Sequence, residues 1–328
     1  MTDSAAHERW MARALELSRE ARGTTAPNPN VGCVIVKDGA IVGEGATGPG
    51  GRPHAEAVAI EQAGDKAKGA TLYTTLEPCA HDSHRGPTCS RLIPEAGIVT
   101  VVSAIEDPDP RTAGSGLDCL RDAGVEVIEG IGALEAREAM AGFLMRIVEG
   151  RPYVTLKLAL SIDGKIALPS GESKWITGED ARAHVHLERA HADMILVGRG
   201  TFVADRPGLD VRLPGLEERS PRRALLTRGN GADAAGWEIL NDPEDIFRLE
   251  DVNDLLVEGG SGAASAFLKA DLVDRILIYR APILIGEGKS SVGYIGLDRI
   301  ADAHGRWRVG DGTMLGIDRL EVYERVRT

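Results

Sequence analysis

Apolar positions along the chain alternate between two periods, and the alternation divides it into helices and strands. From Ser4 to Ala21 the helical period wins, with Trp10, Ala14, Leu15 and Ser18 marking one side of an amphipathic helix. The loop Thr24-Thr25-Ala26-Pro27-Asn28-Pro29-Asn30 follows. Apolar runs at Val31–Val36 and Ile41–Gly45 then predict a hairpin turning at Lys37-Asp38-Gly39, where glycine accepts positive φ. A helix begins near His54. The strand Thr71–Leu76 delivers Pro78-Cys79 at its carboxyl end, the end that ligand sites favour in open α/β sheets. Strands at Val99–Ile105 and Val125–Ile128 flank a short helix around Leu117–Asp122, and a helix over Ala133–Val148 closes at Gly150. Pro94 either starts a helix or kinks one that runs on from Cys89, since an interior proline removes a hydrogen bond and clashes with the preceding turn.

At Gly150-Arg151-Pro152 the alternation restarts. A single core rarely grows beyond about 250–300 residues, so the 328-residue chain divides there into domains 1–149 and 150–328. Tyr153–Leu160 reads as a buried strand interrupted only by Lys157. Helix Glu179–His191, strands Met194–Val197, Arg223–Leu226 and Leu255–Glu258, a helix near Ala263–Lys269 and a long strand Arg275–Ile285 complete a second α/β unit. Gly229–Gly236, rich in small and polar residues, is expected to be a mobile surface loop. The charged residues around His184, His186 and His191 predict a solvated helix face rather than a metal site.

Charge narrows the function. With 50 acidic against 38 basic residues, the formal charge of −12 opposes binding a polyanion, because such binding rests on neutralising phosphates. Aromatic residues are 4% of the chain, too few for platforms that stack single-stranded bases. No run reaches the ~18 apolar residues of a membrane helix, so a cytoplasmic protein with neither nucleic-acid nor membrane partner is expected. Gly43-Glu44-Gly45-Ala46-Thr47-Gly48 matches a dinucleotide fingerprint but leads into another loop instead of opening a helix, so it fails the required context. Gly288-Lys289-Ser290 fails as a phosphate loop because Ile283 stands at the first glycine position.

Four cysteines do not form a disulfide framework here. Cys33 lies in an apolar strand and Cys119 in a short helix, and both are expected to face a core. Cys79 and Cys89 sit instead among polar, glycine and proline residues. With His54 they offer three donors to one zinc ion, leaving a position for water, and Glu56 stands two residues beyond the histidine to carry protons. His-x-Glu followed by Pro-Cys-x2-Cys is the donor pattern of zinc nucleobase deaminases, and this chain departs from it in the spacing of the two cysteines. Nine residues, Ala80 to Thr88, separate the two cysteines, and the polar insert from His81 to Gly86 reads as a lid over the metal. A purely structural zinc would want a fourth protein ligand, for which His81 and His84 are the candidates.

In order along the chain come Pro27-Asn28-Pro29-Asn30-Val31-Gly32, Pro53-His54-Ala55-Glu56, Thr75-Leu76-Glu77-Pro78-Cys79, Lys157 to Lys165, Gly171 to Thr177, Gly198 to Arg212 and Val257-Glu258-Gly259-Gly260. Together they resemble the bifunctional deaminase/reductase family of riboflavin biosynthesis over essentially the whole chain. The resemblance implies a cytidine-deaminase-like three-layer α/β/α domain followed by a dihydrofolate-reductase-like α/β domain. It implies zinc, one per chain, on His54, Cys79 and Cys89, with Glu56 as the catalytic proton carrier and Asn28 holding substrate. It further implies hydrolysis of the 2-amino group of 2,5-diamino-6-(5-phosphoribosylamino)pyrimidin-4(3H)-one, then NADPH reduction of the ribosyl group to a ribityl chain. Lys157, Ser173, Arg189, Leu209, Arg212 and Glu258 would contact this small phosphorylated pyrimidine in the second domain. Ala159, Trp175, Thr177, Thr201, Asp205 and Gly260 would line the cofactor site. A homo-oligomer is expected. The chain departs from the family at Thr47, where many members carry a histidine, in its intercysteine loop, and at Arg206.

Two other readings stand beside this one: a single-function zinc deaminase of nucleobases or nucleic acid with an accessory second domain, and a non-catalytic zinc-stabilised binding module. Charge and the scarcity of aromatics weigh against the nucleic-acid form.

Overall fold

The computed structural model describes residues 2–81, 86–229, 231 and 233–327. The chain divides into two compact units, Met1–Gly150 and Arg151–Thr328. The histidine candidate His84, Arg85 beside it and most of the expected lid lie outside the described residues.

The first unit runs α1 (Thr2–Ala21), β1 (Gly32–Lys37), β2 (Ala40–Ala46), α2 (Ala55–Ala63), β3 (Thr71–Thr74), α3 (Cys89–Glu95), β4 (Thr100–Ser103), α4 (Ser115–Asp122), β5 (Glu126–Glu129), α5 (Ala133–Ala139) and α6 (Ala141–Glu149). Its sheet has the order β2-β1-β3-β4-β5, antiparallel across β2-β1-β3 and parallel across β3-β4-β5. Alternation of side chains explains the layers. Gly32 faces α1, where an added Cβ would lie 1.9 Å from the Ala14 carbonyl. Gly45, opposite the next residue Cys33, faces α2, where a Cβ would come within 2.7 Å of the Ala55 carbonyl; at Gly43 it would lie 2.2 Å from that of Ala59. The glycines that imitate a dinucleotide motif thus let α2 press directly on β2.

Of the two readings of Pro94, the structure has the helix running on from Cys89: α3 holds Pro94 as its penultimate residue. Two expectations for this unit need correction. The closing helix breaks at Met140, whose φ of −110° is not helical. There the Asn30 side-chain amide donates to the Ala139 carbonyl at 3.0 Å, and Met140 itself is fully buried. Cys119 is exposed: Gly116, Leu117 and Leu120 carry the buried side of α4, and Cys119 falls on the other. Cys33 is buried as expected.

The second unit runs β6 (Tyr153–Leu160), β7 (Lys165–Ala167), α7 (Glu179–Ala190), β8 (Met194–Gly198), α8 (Arg199–Asp205), β9 (Arg222–Leu226), β10 (Glu238–Leu240), β11 (Asp254–Val257), α9 (Ser261–Lys269), β12 (Arg275–Arg280), β13 (Lys289–Ser290), β14 (Trp307–Val309), β15 (Thr313–Leu315) and β16 (Asp318–Arg325). The main sheet has the order β10-β9-β8-β11-β6-β12-β16-β14, parallel through β12 and antiparallel beyond, with β15 beside β16. The unit's first residue is clamped: buried Arg151 donates to both oxygens of Asp274, at 2.7 and 2.8 Å, and Asp274 also accepts from the Val154 amide.

The long strand expected to reach Ile285 ends at Arg280, because Pro282 has no amide to continue the ladder and Leu284 faces solvent. Part of Gly229–Gly236 lies outside the described residues. The described part is anchored, with Ala234 buried and Asp233 paired to Arg199 at 2.6 Å. α7 does not present its histidines as a solvated face. His184 Nδ1 lies 2.8 Å from the Tyr279 hydroxyl and His186 Nδ1 accepts from the Arg212 amide. Lys289 and Ser290 belong to the small β13–β7 ribbon. No helix among the described residues is long and apolar enough to cross a membrane.

Candidate functional site

In the first unit, His54 caps α2 and Glu56 occupies its first turn, while Cys89 opens α3 and Cys79 lies on the segment leaving β3. The four therefore reach one place from three elements. His54 Nδ1 is 3.3 Å from Cys89 Sγ and 3.5 Å from Cys79 Sγ, and the three ligand atoms all lie within 4.8 Å of one another. Tetrahedral zinc with ordinary Zn–N and Zn–S bonds would hold nitrogen and sulfur about 3.6 Å apart. The trio fits that spacing.

The electrostatics fit a cation as well. A hydrogen bond with Cys89 draws the Cys79 thiol down to about 4, helped by His54. The same bond, together with burial, pushes Cys89 up, and Cys79 raises the His54 imidazole. Burial raises Glu56, which is 4% exposed. Two ionised sulfurs beside this carboxylate would repel one another, and a divalent ion removes that cost while ionising both thiols.

His81 is not a fourth ligand: its Nδ1 lies 3.1 Å from Thr112 Oγ1, outside the cluster. Asn28 donates to the Gly50 carbonyl at 3.2 Å, and Gly51 packs so closely on its side chain that a Cβ would lie 2.1 Å from Nδ2. Thr47 serves the backbone, accepting from the Val31 amide at 2.9 Å.

Sequence reasoning gave no role to Glu77. Its buried carboxylate accepts four backbone N–H groups, from Gly116 and Leu117 at one oxygen and from Gly114 and Asp107 at the other. It ties the segment carrying Cys79 to the start of α4. Gly116 is needed there, since a Cβ would stand 1.9 Å from the Pro78 carbonyl. A carboxylate between an apolar strand and Pro-Cys was the available signal.

In the second unit, a cavity of about 1280 Å³ opens over the carboxyl ends of the parallel strands. It brings together Lys157, Ala159, Ser173, Trp175, Thr177, Arg189, Thr201, Asp205, Arg212, Glu258 and Gly260. Leu209 is not on its wall: the side chain is buried in a core cluster and only the backbone, at φ +58°, remains to meet a ligand. Glu258 is gripped by Arg189 through two bonds of 2.7 and 3.0 Å and lies 3.9 Å from Lys157 Nζ. Burial pushes its carboxyl up, but Lys157 and Arg189 outweigh that and hold it below its ordinary value. Burial in turn lowers Lys157. Arg189 also donates to the Asp210 carbonyl, so little of its fork is left for phosphate, whereas Arg212 is largely exposed.

Thr201 Oγ1 accepts from the Gly260 amide at 3.1 Å, fixing the turn into α9, whose first backbone amides suit a pyrophosphate. Trp175 is 67% exposed, with the Arg182 guanidinium over its ring. The residues present thus offer a dinucleotide an amide-lined turn, an exposed indole and cations. The wall also includes Thr227, Arg228 and Asn241 after β9 and β10, which sequence reasoning missed although the strand-end rule points to them.

Comparison with known proteins agrees across both units. Residues 4–105 match the cytidine and deoxycytidylate deaminase zinc-binding region, and residues 152–245 and 245–315 match the RibD C-terminal domain. Riboflavin biosynthesis protein RibD of Haemophilus influenzae is 38% identical, covering 96% of this chain and 96% of that protein. The Escherichia coli protein of the same name is 41% identical, over 90% and 93%. Among solved structures, RibD of Acinetobacter baumannii (form 1) is 35% identical with a TM-score of 0.88, covering 99% of this chain and 100% of that one. A Thermotoga maritima diaminohydroxyphosphoribosylaminopyrimidine deaminase/5-amino-6-(5-phosphoribosylamino)uracil reductase is 33% identical at the same TM-score and coverage. Agreement of this extent, spanning a zinc-ligand trio and a dinucleotide-sized cavity, makes the chain a member of the RibD family, the zinc- and NADPH-using bifunctional deaminase/reductases of riboflavin biosynthesis.

Proposed function

We propose that the first unit hydrolyses the 2-amino group of 2,5-diamino-6-(5-phosphoribosylamino)pyrimidin-4(3H)-one and that the second reduces the ribosyl group of the product, giving 5-amino-6-(5-phosphoribitylamino)uracil. When bound, zinc on His54, Cys79 and Cys89 supplies the Lewis acidity that brings a water's pKa from about 15.7 to about 7, and NADPH supplies a hydride. Glu56 stands where it could take a proton from the water whose oxygen adds to the ring carbon and pass it to the amine that leaves as ammonia, work that general acid–base catalysis makes worth about 10²–10⁴ in rate. Burial favours its protonated form, which suits an acid as well as a base. Asn28 can both donate to and accept from a pyrimidine edge.

In the second unit, Arg212 offers its exposed guanidinium to the substrate phosphate. Lys157 and Arg189 hold Glu258 ionised at the cavity wall, where it can accept from ribosyl hydroxyls. Ala159, Trp175, Thr177, Thr201, Asp205 and Gly260 form the cofactor wall. The site works in the cytoplasm on a small phosphorylated substrate.

The observation that carries the deaminase reading is the spacing of the three donor atoms with buried Glu56 on the adjoining helical turn. Replacing Glu56 by Gln tests it. Ammonia release should fall by at least about a hundredfold, with zinc content and NADPH oxidation on supplied deaminated substrate unchanged. Undiminished ammonia release would overturn the assignment.

A further inference from the structure

The substrate proposed for the first unit carries a phosphate, and neither Asn28, Glu56 nor the three zinc donors offers it a cation. The phosphate lies at the other end of the molecule from the carbon that loses its amine. Its partner therefore stands on the rim of the site and not among the metal ligands. Three segments flank the trio: the loop 48–53 before His54, the chain from Cys79 to Cys89, and the loop 106–114, which meets His81 through Thr112. The last of these carries the buried acids Asp107 and Asp109, and the whole chain has a formal charge of −12, so an arriving dianion needs a local positive charge.

We infer that Arg52 binds the phosphate of the deaminase substrate and makes the first unit select the phosphorylated pyrimidine over its dephosphorylated form. The inference rests on the reading of the first unit as the deaminase of that substrate. Arg52 precedes the zinc donor His54 by two residues, on a loop whose backbone is fixed. The Gly48 amide donates to the Pro53 carbonyl and the Gly50 amide to the Thr24 carbonyl, each at 2.9 Å. At Gly48 a Cβ would lie 2.5 Å from the Arg52 carbonyl, so the loop closes on itself there. Gly50 and Gly51 of the same loop touch the Asn28 side chain, which puts the loop beside the pyrimidine end of the site. The Arg52 guanidinium reaches the segment between the two cysteines, where its Nη1 is 3.4 Å from the position of a Cβ on Gly86.

The other basic side chains on these segments are engaged. Arg111 Nε donates to both oxygens of Asp109, at 2.9 and 3.0 Å. Arg91 donates to Glu95 at 2.7 Å, and His81 lies 3.1 Å from Thr112 Oγ1. Arg52 is half-buried and has no hydrogen bond or ion pair with any described residue. A charge held partly out of water carries a desolvation cost, which a counter-ion offsets. A phosphate is suited to that place because the guanidinium fork meets two of its oxygens with parallel bonds.

Steady-state ammonia release by the full zinc-loaded chain tests this with the phosphorylated substrate and with the same substrate treated with phosphatase. The quantity read is the ratio of the two kcat/KM values. Loss of a charge-assisted contact should lower that ratio by about tenfold to a hundredfold in Arg52→Ala. Arg52→Lys should retain part of the preference, keeping the charge without the fork, and Arg52→Glu should fall below Arg52→Ala. Because the ratio compares two substrates on one protein, partial loss of zinc or of fold lowers both rates and leaves it standing. An unchanged ratio in Arg52→Ala and Arg52→Glu overturns the inference, and so does a native enzyme that treats both substrates alike; either leaves the deaminase reading in place. Native protein that releases ammonia from neither substrate removes that reading, and the inference with it.

Discussion

Replacing Glu77 by Gln keeps the side chain's shape and removes half of what it does. The carboxylate now accepts from Gly116 at 2.8 Å and Leu117 at 3.2 Å through Oε1, and from Gly114 at 2.9 Å and Asp107 at 3.1 Å through Oε2. A glutamine offers one oxygen, so one pair of amides would face an NH2 group instead of an acceptor. Two bonds to a charged acceptor, at about 1.5–3 kcal/mol each, put the loss at about 3–6 kcal/mol. For a unit of about 150 residues, 1 kcal/mol moves the melting point by about 2–4 °C, so a fall on the order of 10 °C is expected. Because Glu77 and Pro78 hold the approach to Cys79, zinc affinity measured against a chromogenic chelator should fall too. Scanning calorimetry reads the melting point, and amide hydrogen exchange reads the four donors directly. If the melting point holds and all four amides stay protected, the carboxylate is not the clasp described here.

Two further outcomes can be checked. Asp107 is pushed up to about 6 from an ordinary 3.8, chiefly by burial and further by Asp109 and Glu77. A raised folded-state value means that its stabilising contribution is complete below about pH 4 and lost as pH rises through about 6, some 3 kcal/mol in all. Asp107→Asn should flatten urea midpoints between those pH values and stabilise the first unit at pH 7; an unaltered pH dependence would show the shift to be absent. Dialysis against dipicolinate should abolish ammonia release, reversibly on adding zinc, while NADPH oxidation with deaminated substrate continues. Loss of both reactions together would contradict the assignment of zinc to the first unit alone.

The metal trio was legible in the sequence because its chemistry tolerates few residue types, and two thiols set among prolines and glycines are poor core residues. The alternating elements were legible for a similar reason: Tyr153–Leu160 and Ser4–Ala21 keep their periods over their whole lengths. What escaped depended on contacts between distant segments. Nothing near Met140 announces that Asn30 captures the carbonyl of Ala139, 109 residues further along the chain. The side of α4 that Cys119 occupies follows from where Gly116 meets Pro78, not from local hydropathy. His184 and His186 look solvated beside their charged neighbours until Tyr279 and Arg212 come to meet them. Thr227, Arg228 and Asn241 lie just past strand ends, where the rule for open α/β sheets points, but which strand ends share one cavity follows only from the strand order.

The clamp between Arg151 and Asp274 has a practical corollary for dividing the gene. The match to the RibD C-terminal domain begins at residue 152, and a fragment cut at that edge would discard a guanidinium that neutralises a buried acid. Arg327, at 2.8 Å, would remain as the only counter-charge to Asp274 recorded among the described residues. A reductase fragment intended to fold alone should therefore keep Arg151, and preferably Gly150 before it, so that the new amino terminus does not strand the carboxylate.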